Sequence, residues 1–220
     1  RFTFFDNNSM AKIEKCLVLA PHTDDGEFGC GASIVKLLSY GIKVYYAAFS
    51  IAEESVPDPY PRDILDKEVR LAMKELGIEE ENLLIYKYKV RNFAYKRQEI
   101  LEDLVNINKI LSPDIVFMPS IKDLHQDHTT IANEGLRAFK NKSILCYELP
   151  WNNIEFSNNC FISFTENELN KKVNALMCYE SQKDRPYASA EFIKSLAITR
   201  GTQIGTKYAE VFEVMRWIIN

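Results

Sequence analysis

Histidine is scarce in this chain: 220 residues hold three, and all three fall within two short stretches. Cysteine offers little. Cys16, Cys30, Cys146, Cys160 and Cys178 are odd in number and form no Cys-x-x-Cys pair, which argues against a disulfide framework and against a thiolate zinc knuckle. Cys16 and Cys146 stand in apolar runs, where cysteine acts as a small hydrophobe. Such thiols fit a reducing compartment, and the cytoplasm is the expected location. No run approaches the ~18 apolar residues of a membrane span. Arg1 to Ser9 lacks the apolar stretch of a signal peptide; residues 1–9 are read as an N-terminal extension and residues 10–220 as one domain. Lysine and arginine are scattered through a chain of net charge −4, so no nucleic-acid surface is expected. No repeat or low-complexity tract is visible. What is present, 46% hydrophobic and 26% charged residues, is near the globular average and long enough to bury a core.

Apolar runs at 16–20, 43–49, 82–86, 115–118, 143–147 and 208–217 read as strands. Helical spacing appears over 27–40, 64–76, 100–111, 128–139, 166–179 and 188–199, with Gly41 and Gly77 as stops. Residues 51–62, with Pro57, Pro59 and Pro61, form a long loop of the kind that often binds ligands. The stretch 148–165 is read as irregular and aromatic. Strands alternating with helices predict an α/β domain, a largely parallel sheet covered on both sides.

The chemistry concentrates where strands end. Leu17-Val18-Leu19-Ala20-Pro21-His22-Thr23-Asp24-Asp25-Gly26 is a buried strand running into a histidine and two carboxylates. Asp123-Leu124-His125-Gln126-Asp127-His128 follows a second apolar run about a hundred residues later. In open α/β sheets ligands bind beyond the carboxyl ends of strands, so the two loops can converge. Two histidines and a carboxylate match the ligand set of catalytic zinc sites. The remaining residues suit hydrolysis: a carboxylate to take a proton from water, whose pKa zinc lowers towards ~7, and a histidine to steady an oxyanion and protonate a leaving amine. Asp127 is placed to orient a histidine.

These stretches resemble the PIG-L/LmbE-like family of N-deacetylases, whose motifs read Ala/Pro-His-Pro-Asp-Asp and His-x-Asp-His. Gly26-Glu27-Phe28-Gly29-Cys30-Gly31, Tyr179-Glu180-Ser181-Gln182 and the run from Arg200-Gly201 through Gly205 to Tyr208-Ala209-Glu210-Val211-Phe212 look like the same family, so the likeness covers roughly residues 13 to 218. It implies a Rossmann-like three-layer sandwich. It implies His22, Asp25 and His128 as metal ligands, Asp24 as general base, His125 as electrostatic stabiliser and acid, and Asp127 as the partner of His125. It also implies zinc, with Fe(II) fitting the same ligands, and a small-molecule substrate, an N-acetylated amino sugar; the protein could form oligomers. Thr23 replaces the usual proline, which alters loop stiffness. Leu65 stands where the family often places an arginine three residues before the helix glutamate, here Glu68, and Arg62 lies one turn earlier.

Arg62, Trp151 and Arg200 are carried as candidate substrate contacts, the tryptophan because aromatic rings stack on the apolar faces of sugars. Arg185 and Tyr187 are read first as surface residues, and Glu53-Glu54 as a solvated pair at the pocket edge. Gly26–Gly31 has the order G-x-x-G-x-G rather than the dinucleotide fingerprint and is read as tight helix–strand packing. Two other functions fit the same residues: hydrolysis of a phosphoester or glycosidic bond, and a sugar-binding module with a retained metal. Two-metal phosphatases need more ligands than are gathered here, and a structural metal site has no use for spare acid/base groups.

Overall fold

The computed structural model describes residues 13–219; the expected extension at 1–9 lies outside them. In chain order the main elements are β1 (Lys15–His22), α1 (Asp25–Ser39), β2 (Lys43–Ser50), α2 (Ile64–Leu76), β3 (Leu83–Ile85), α3 (Arg97–Leu111), β4 (Ile115–Pro119), α4 (Gln126–Ala138), β5 (Ser143–Tyr147), β6 (Cys160–Ser163), α5 (Glu166–Met177), α6 (Ala190–Gln203) and β7 (Ala209–Arg216). The strands form one sheet in the order β3-β2-β1-β4-β5-β7-β6. β7 runs antiparallel to both of its neighbours, and the other pairings are parallel.

Both faces of the sheet are covered, which is why its central strands are apolar without alternation. On β1, Cys16, Val18 and Ala20 join one core with Ile34 of α1, Val69 of α2, Leu169 of α5 and Ile193 of α6. Leu17 and Leu19 face the opposite core with Leu104 of α3 and Ile131 of α4. The expected α/β sandwich is therefore the observed one. The sequence reading missed β6, whose four residues are all half-buried. It is a short edge strand paired only to β7, and its apolar run, Cys160-Phe161-Ile162, is too brief to stand out within the aromatic stretch around it. α4 begins two residues earlier than the apolar spacing suggests, because His125 caps it: its ring accepts from the Asp127 N–H.

Helix α1 breaks at Cys30, which sits at φ −147 and ψ 21. The break frees main-chain groups inside the protein, and side chains from two other elements satisfy them. Glu210 of β7 accepts from the N–H groups of Ala32 (3.0 Å) and Ser33 (2.8 Å), and Lys172 of α5 donates to the Phe28 carbonyl at 2.6 Å. Ahead of the break α1 lies close on the sheet: a Cβ at Gly26 or Gly29 would stand 2.5 or 2.3 Å from the rings of Tyr46 and Tyr147. From β1 the chain winds to β2 and β3 on one side, then returns to β4 on the other side of β1. The carboxyl ends of β1 and β4 thus flank a topological switch point.

Candidate metal centre and cleft

β1 ends at His22, and its loop turns into α1 within three residues. The Asp25 carboxylate folds back to accept the His22 N–H at 2.8 Å. From the far side of the switch point α4 brings His128. Asp25 Oδ2 stands 3.1 Å from His22 Nδ1 and 3.2 Å from His128 Nε2, and the two ring nitrogens are 3.2 Å apart. A tetrahedral ion with ligand bonds of ~2.0–2.1 Å has ligand–ligand edges of roughly 3.3 Å. This donor set therefore fits a divalent ion of zinc's size. His22, His125 and His128 form a looser group, with ligand atoms within 4.8 Å of one another.

The outer nitrogens of both close histidines meet carboxylates. Asp123 Oδ2 lies 2.9 Å from His128 Nδ1, and Asp127 Oδ2 lies 3.1 Å from His22 Nε2. Such contacts fix tautomer and ring orientation. They also revise the sequence reading, which paired Asp127 with His125. The Asp127 carboxylate turns away from that ring, because the loop after β3 offers it two main-chain donors, Arg91 N–H (2.6 Å) and Phe93 N–H (3.3 Å). What His125 receives from Asp127 is the main-chain N–H, at its Nδ1 (3.2 Å). The sequence reading assigns Asp123 no role. Its signal was available: a carboxylate just ahead of a helix whose first turn holds a histidine.

Charge in this cluster is strongly biased. Burial opposes ionisation of Asp25, but His128 and His22 outweigh it and hold the carboxyl well below its ordinary range. Burial also opposes a charged His128, yet Asp25 and Asp123 raise its pKa to about 10. Asp24 is pushed up to about 6, by burial and then by the adjacent Asp25. His125 is pushed down to about 4, by burial and then by His128 and His22.

The loop between the ligand stretch and α1 is held from behind. The Thr23 carbonyl lies 2.9 Å from the hydroxyls of both Tyr46 and Tyr179. Both phenols also reach the fully buried Glu27, Tyr179 at 2.5 Å and Tyr46 in a shorter contact. Each phenol has one proton, so two phenols cannot fill four oxygen–oxygen contacts. A protonated Glu27 supplies a third, and burial pushes its carboxyl up to about 8. Two residues on, the Ser181 N–H and Oγ both donate to Glu68 of α2.

A cleft of about 260 Å³ opens over the cluster, with Asp24, Asp25, His22, His125 and His128 in its lining. Ala52 and Ser55 from the expected binding loop line it, as do Arg91, Arg185, Gln182 and Asn152. Trp151 is also on the wall, stacked on Tyr187 with centroids 4.0 Å apart and planes at 7°. Thr23 lines the cleft too, and its buried Oγ1 has no hydrogen-bond partner among the described residues. Two candidate contacts are not on this wall. Arg62 donates to the Val56 carbonyl at 2.8 Å, pinning its own loop. Arg200 is paired with Glu148 beside a separate small cavity. In both cases the guanidinium finds a closer acceptor within the fold. Arg91, by contrast, had no signal in the sequence: an arginine among the loop residues after a short strand.

A Rossmann-like sandwich with a His/Asp cluster at its switch point defines an α/β protein whose reactive groups gather beyond the strand ends. The PIG-L family profile, described as GlcNAc-PI de-N-acetylase, matches residues 17–139. The chain belongs to this family of deacetylases, as its motifs implied. It is 29% identical over 187 residues to the uncharacterized deacetylase YaiS of Escherichia coli K12, across 79% of this chain and 95% of that protein. It is 25% identical over 237 residues to diacetylchitobiose deacetylase of Thermococcus kodakarensis, across 96% and 86%. Among solved structures, N,N'-diacetylchitobiose deacetylase from Pyrococcus horikoshii superposes with a TM-score of 0.79 at 23% identity, across 96% of this chain and 87% of that one.

Proposed function

We propose that the chain is a metal-dependent hydrolase that removes the acetyl group from an N-acetylated amino sugar, releasing acetate and a free amine. The observation that carries this reading is the triangle of His22 Nδ1, Asp25 Oδ2 and His128 Nε2, with edges of 3.1–3.2 Å, at the base of a cleft that also presents Asp24 and His125. In this reading His22, Asp25 and His128 hold a divalent ion, zinc or Fe(II). When bound, that ion supplies Lewis acidity to the acetamide carbonyl and acidifies water.

The protein's own groups do the rest. Asp24 takes the proton of the attacking water; with its pKa raised to about 6 it is ionised yet basic at neutral pH. Asp127 N–H donates to His125 Nδ1, which leaves the proton of a neutral ring on Nε2. His125 thus steadies the developing oxyanion as a neutral hydrogen-bond donor. A ring held down at about 4 is uncharged at neutral pH, and a cation nearby pushes it further the same way. Two groups stand ready to protonate the departing nitrogen, His125 and Asp24 carrying the proton it has collected. Asp127 and Asp123 orient His22 and His128. The stacked Trp151 and Tyr187 offer a flat plate for a sugar ring.

A sugar as substrate is supported by what the relatives are named for. We place the enzyme in the cytoplasm, as one domain over residues 10–220, on the strength of five unpaired thiols and the sequence reading. The test is acetate release from a panel of acetamido sugars, with phosphate release followed in parallel and bound metal assayed. Acetate production that stops on chelation and returns with zinc or Fe(II) is expected. No acetate from any acetamido sugar, or release indifferent to chelation, would overturn the reading.

A further inference from the structure

We infer that the cleft selects acetylated amino sugars bearing an anionic group, phosphate or carboxylate, and that Arg91 and Arg185 recognise that group. This rests on the deacetylase reading of the same cleft and adds the charge of its substrate.

Every other arginine among the described residues either pairs with a carboxylate or donates to a main-chain carbonyl. Arg91 and Arg185 do neither, and both line the cleft. The cleft wall sets these two guanidinium groups against two carboxylates, Asp24 and Asp25, in a chain of net charge −4.

Both groups are fixed in advance, on neutral partners. Arg91 NH2 donates to Ser55 Oγ at 2.9 Å, and Ser55 is itself on the cleft wall. Arg185 Nε donates to Gln182 Oε1 at 2.6 Å, and NH1 to the Tyr187 hydroxyl at 3.0 Å. The main chain of Arg91 stands at φ 66, a left-handed conformation that disfavours a residue with a Cβ, and its N–H is tied to Asp127 at 2.6 Å. Ala52, at φ 43, is a second such residue on the same wall. Strain that neighbouring hydrogen bonds enforce concentrates at ligand clamps. The anion near Arg185 within the protein is Asp24, which it stabilises electrostatically; among the described residues the Arg91 guanidinium bonds to the Ser55 hydroxyl and pairs with no carboxylate. A planar fork with unused donors matches the oxygens of a phosphate or a carboxylate.

Two arms test this. The first compares kcat/KM for N-acetylglucosamine with that for N-acetylglucosamine 6-phosphate and N-acetylmuramic acid, which put a phosphate or a carboxylate on the same acetamido ring. The second measures calorimetric binding of glucosamine and glucosamine 6-phosphate, which needs no turnover. A preference for the anionic compound of about tenfold or more is expected in both arms, weakening with added salt. Arg91→Gln and Arg185→Gln should each cut that ratio to about threefold or less, while Arg91→Lys, which keeps the charge without the fork, should retain part of it. Equal treatment of neutral and anionic compounds, or a ratio unmoved by both glutamine substitutions, overturns the inference. Charge-blind deacetylation would overturn it while leaving the deacetylase reading intact. Binding that prefers glucosamine 6-phosphate through both arginines, without turnover of any acetamido sugar, would do the reverse.

Discussion

Lys172 and Glu210 form a buried ion pair, Nζ to Oε1 2.7 Å, inside the gap where α1 loses its helical path at Cys30. The pair completes the main-chain hydrogen bonding of the helix whose first residue is Asp25. Removing one partner leaves the other charge buried and strands helix groups. Lys172→Met or Glu210→Gln should each destabilise by about 3–5 kcal/mol. Because the two share one network, the double substitution should cost clearly less than the sum. Urea unfolding of all three variants checks this; strict additivity would mean that the pair does not act as a unit.

The adjacent carboxylates of the first motif should separate cleanly. Asp25→Ala or His22→Ala is expected to lose bound metal and activity together. Asp24→Asn should retain the metal and drop turnover by about 100-fold or more. Metal analysis beside acetate assays distinguishes the two, and full turnover by Asp24→Asn would remove it as the base.

Carboxylates behind the histidines should behave differently again. Asp123→Asn removes the negative charge behind His128 and should weaken metal affinity by about 10–100-fold without abolishing binding. Asp127→Asn should do the same through His22, and it should also loosen the Arg91 loop. Competition with a chelating dye gives the affinity; unchanged values would reduce both residues to packing roles.

Glu27 makes stability depend on pH in an unusual direction. Burial raises its pKa in the folded chain to about 8 from an ordinary 4.5. The folded state therefore holds a proton that the unfolded state gives up. That contribution is complete below about pH 4.5 and fades as pH rises through about 8. Thermal melts across this window should show a falling Tm that flattens in Glu27→Gln, whose neutral side chain no longer titrates. An identical slope in the variant would assign the effect elsewhere.

The central strands and the helices with regular apolar spacing were legible in the sequence because burial on one or both sides leaves a direct pattern. Ile64–Leu76 and Ser143–Tyr147 have the bounds the spacing predicts. Cys160–Ser163 was not legible, since three apolar residues in an edge strand paired once do not stand out from the aromatic stretch around them. At the centre, the paired His/Asp motifs carry their own signal, whereas the partners of each carboxylate do not. Asp127 could face either histidine on sequence alone; the choice depends on the Arg91 and Phe93 N–H groups arriving from 36 and 34 residues away. Arg62 and Arg200 were legible as arginines near the site, but not as arginines already occupied by Val56 and Glu148.

β1 and β4 lie side by side in parallel register, Cys16 with Ile115 through Val18 with Phe117. The two halves of the His/Asp cluster are therefore spaced by ladder hydrogen bonds between neighbouring strands, whereas Arg91, Asn152 and Arg185 come from surface segments. The Arg91 segment is more than a contact surface: its N–H holds Asp127, which sets the His22 ring, so a graft there moves a reactive group along with the wall. Substrate range and chemistry are thus coupled at this loop, and a graft that keeps the chemistry must keep its two main-chain donors to Asp127.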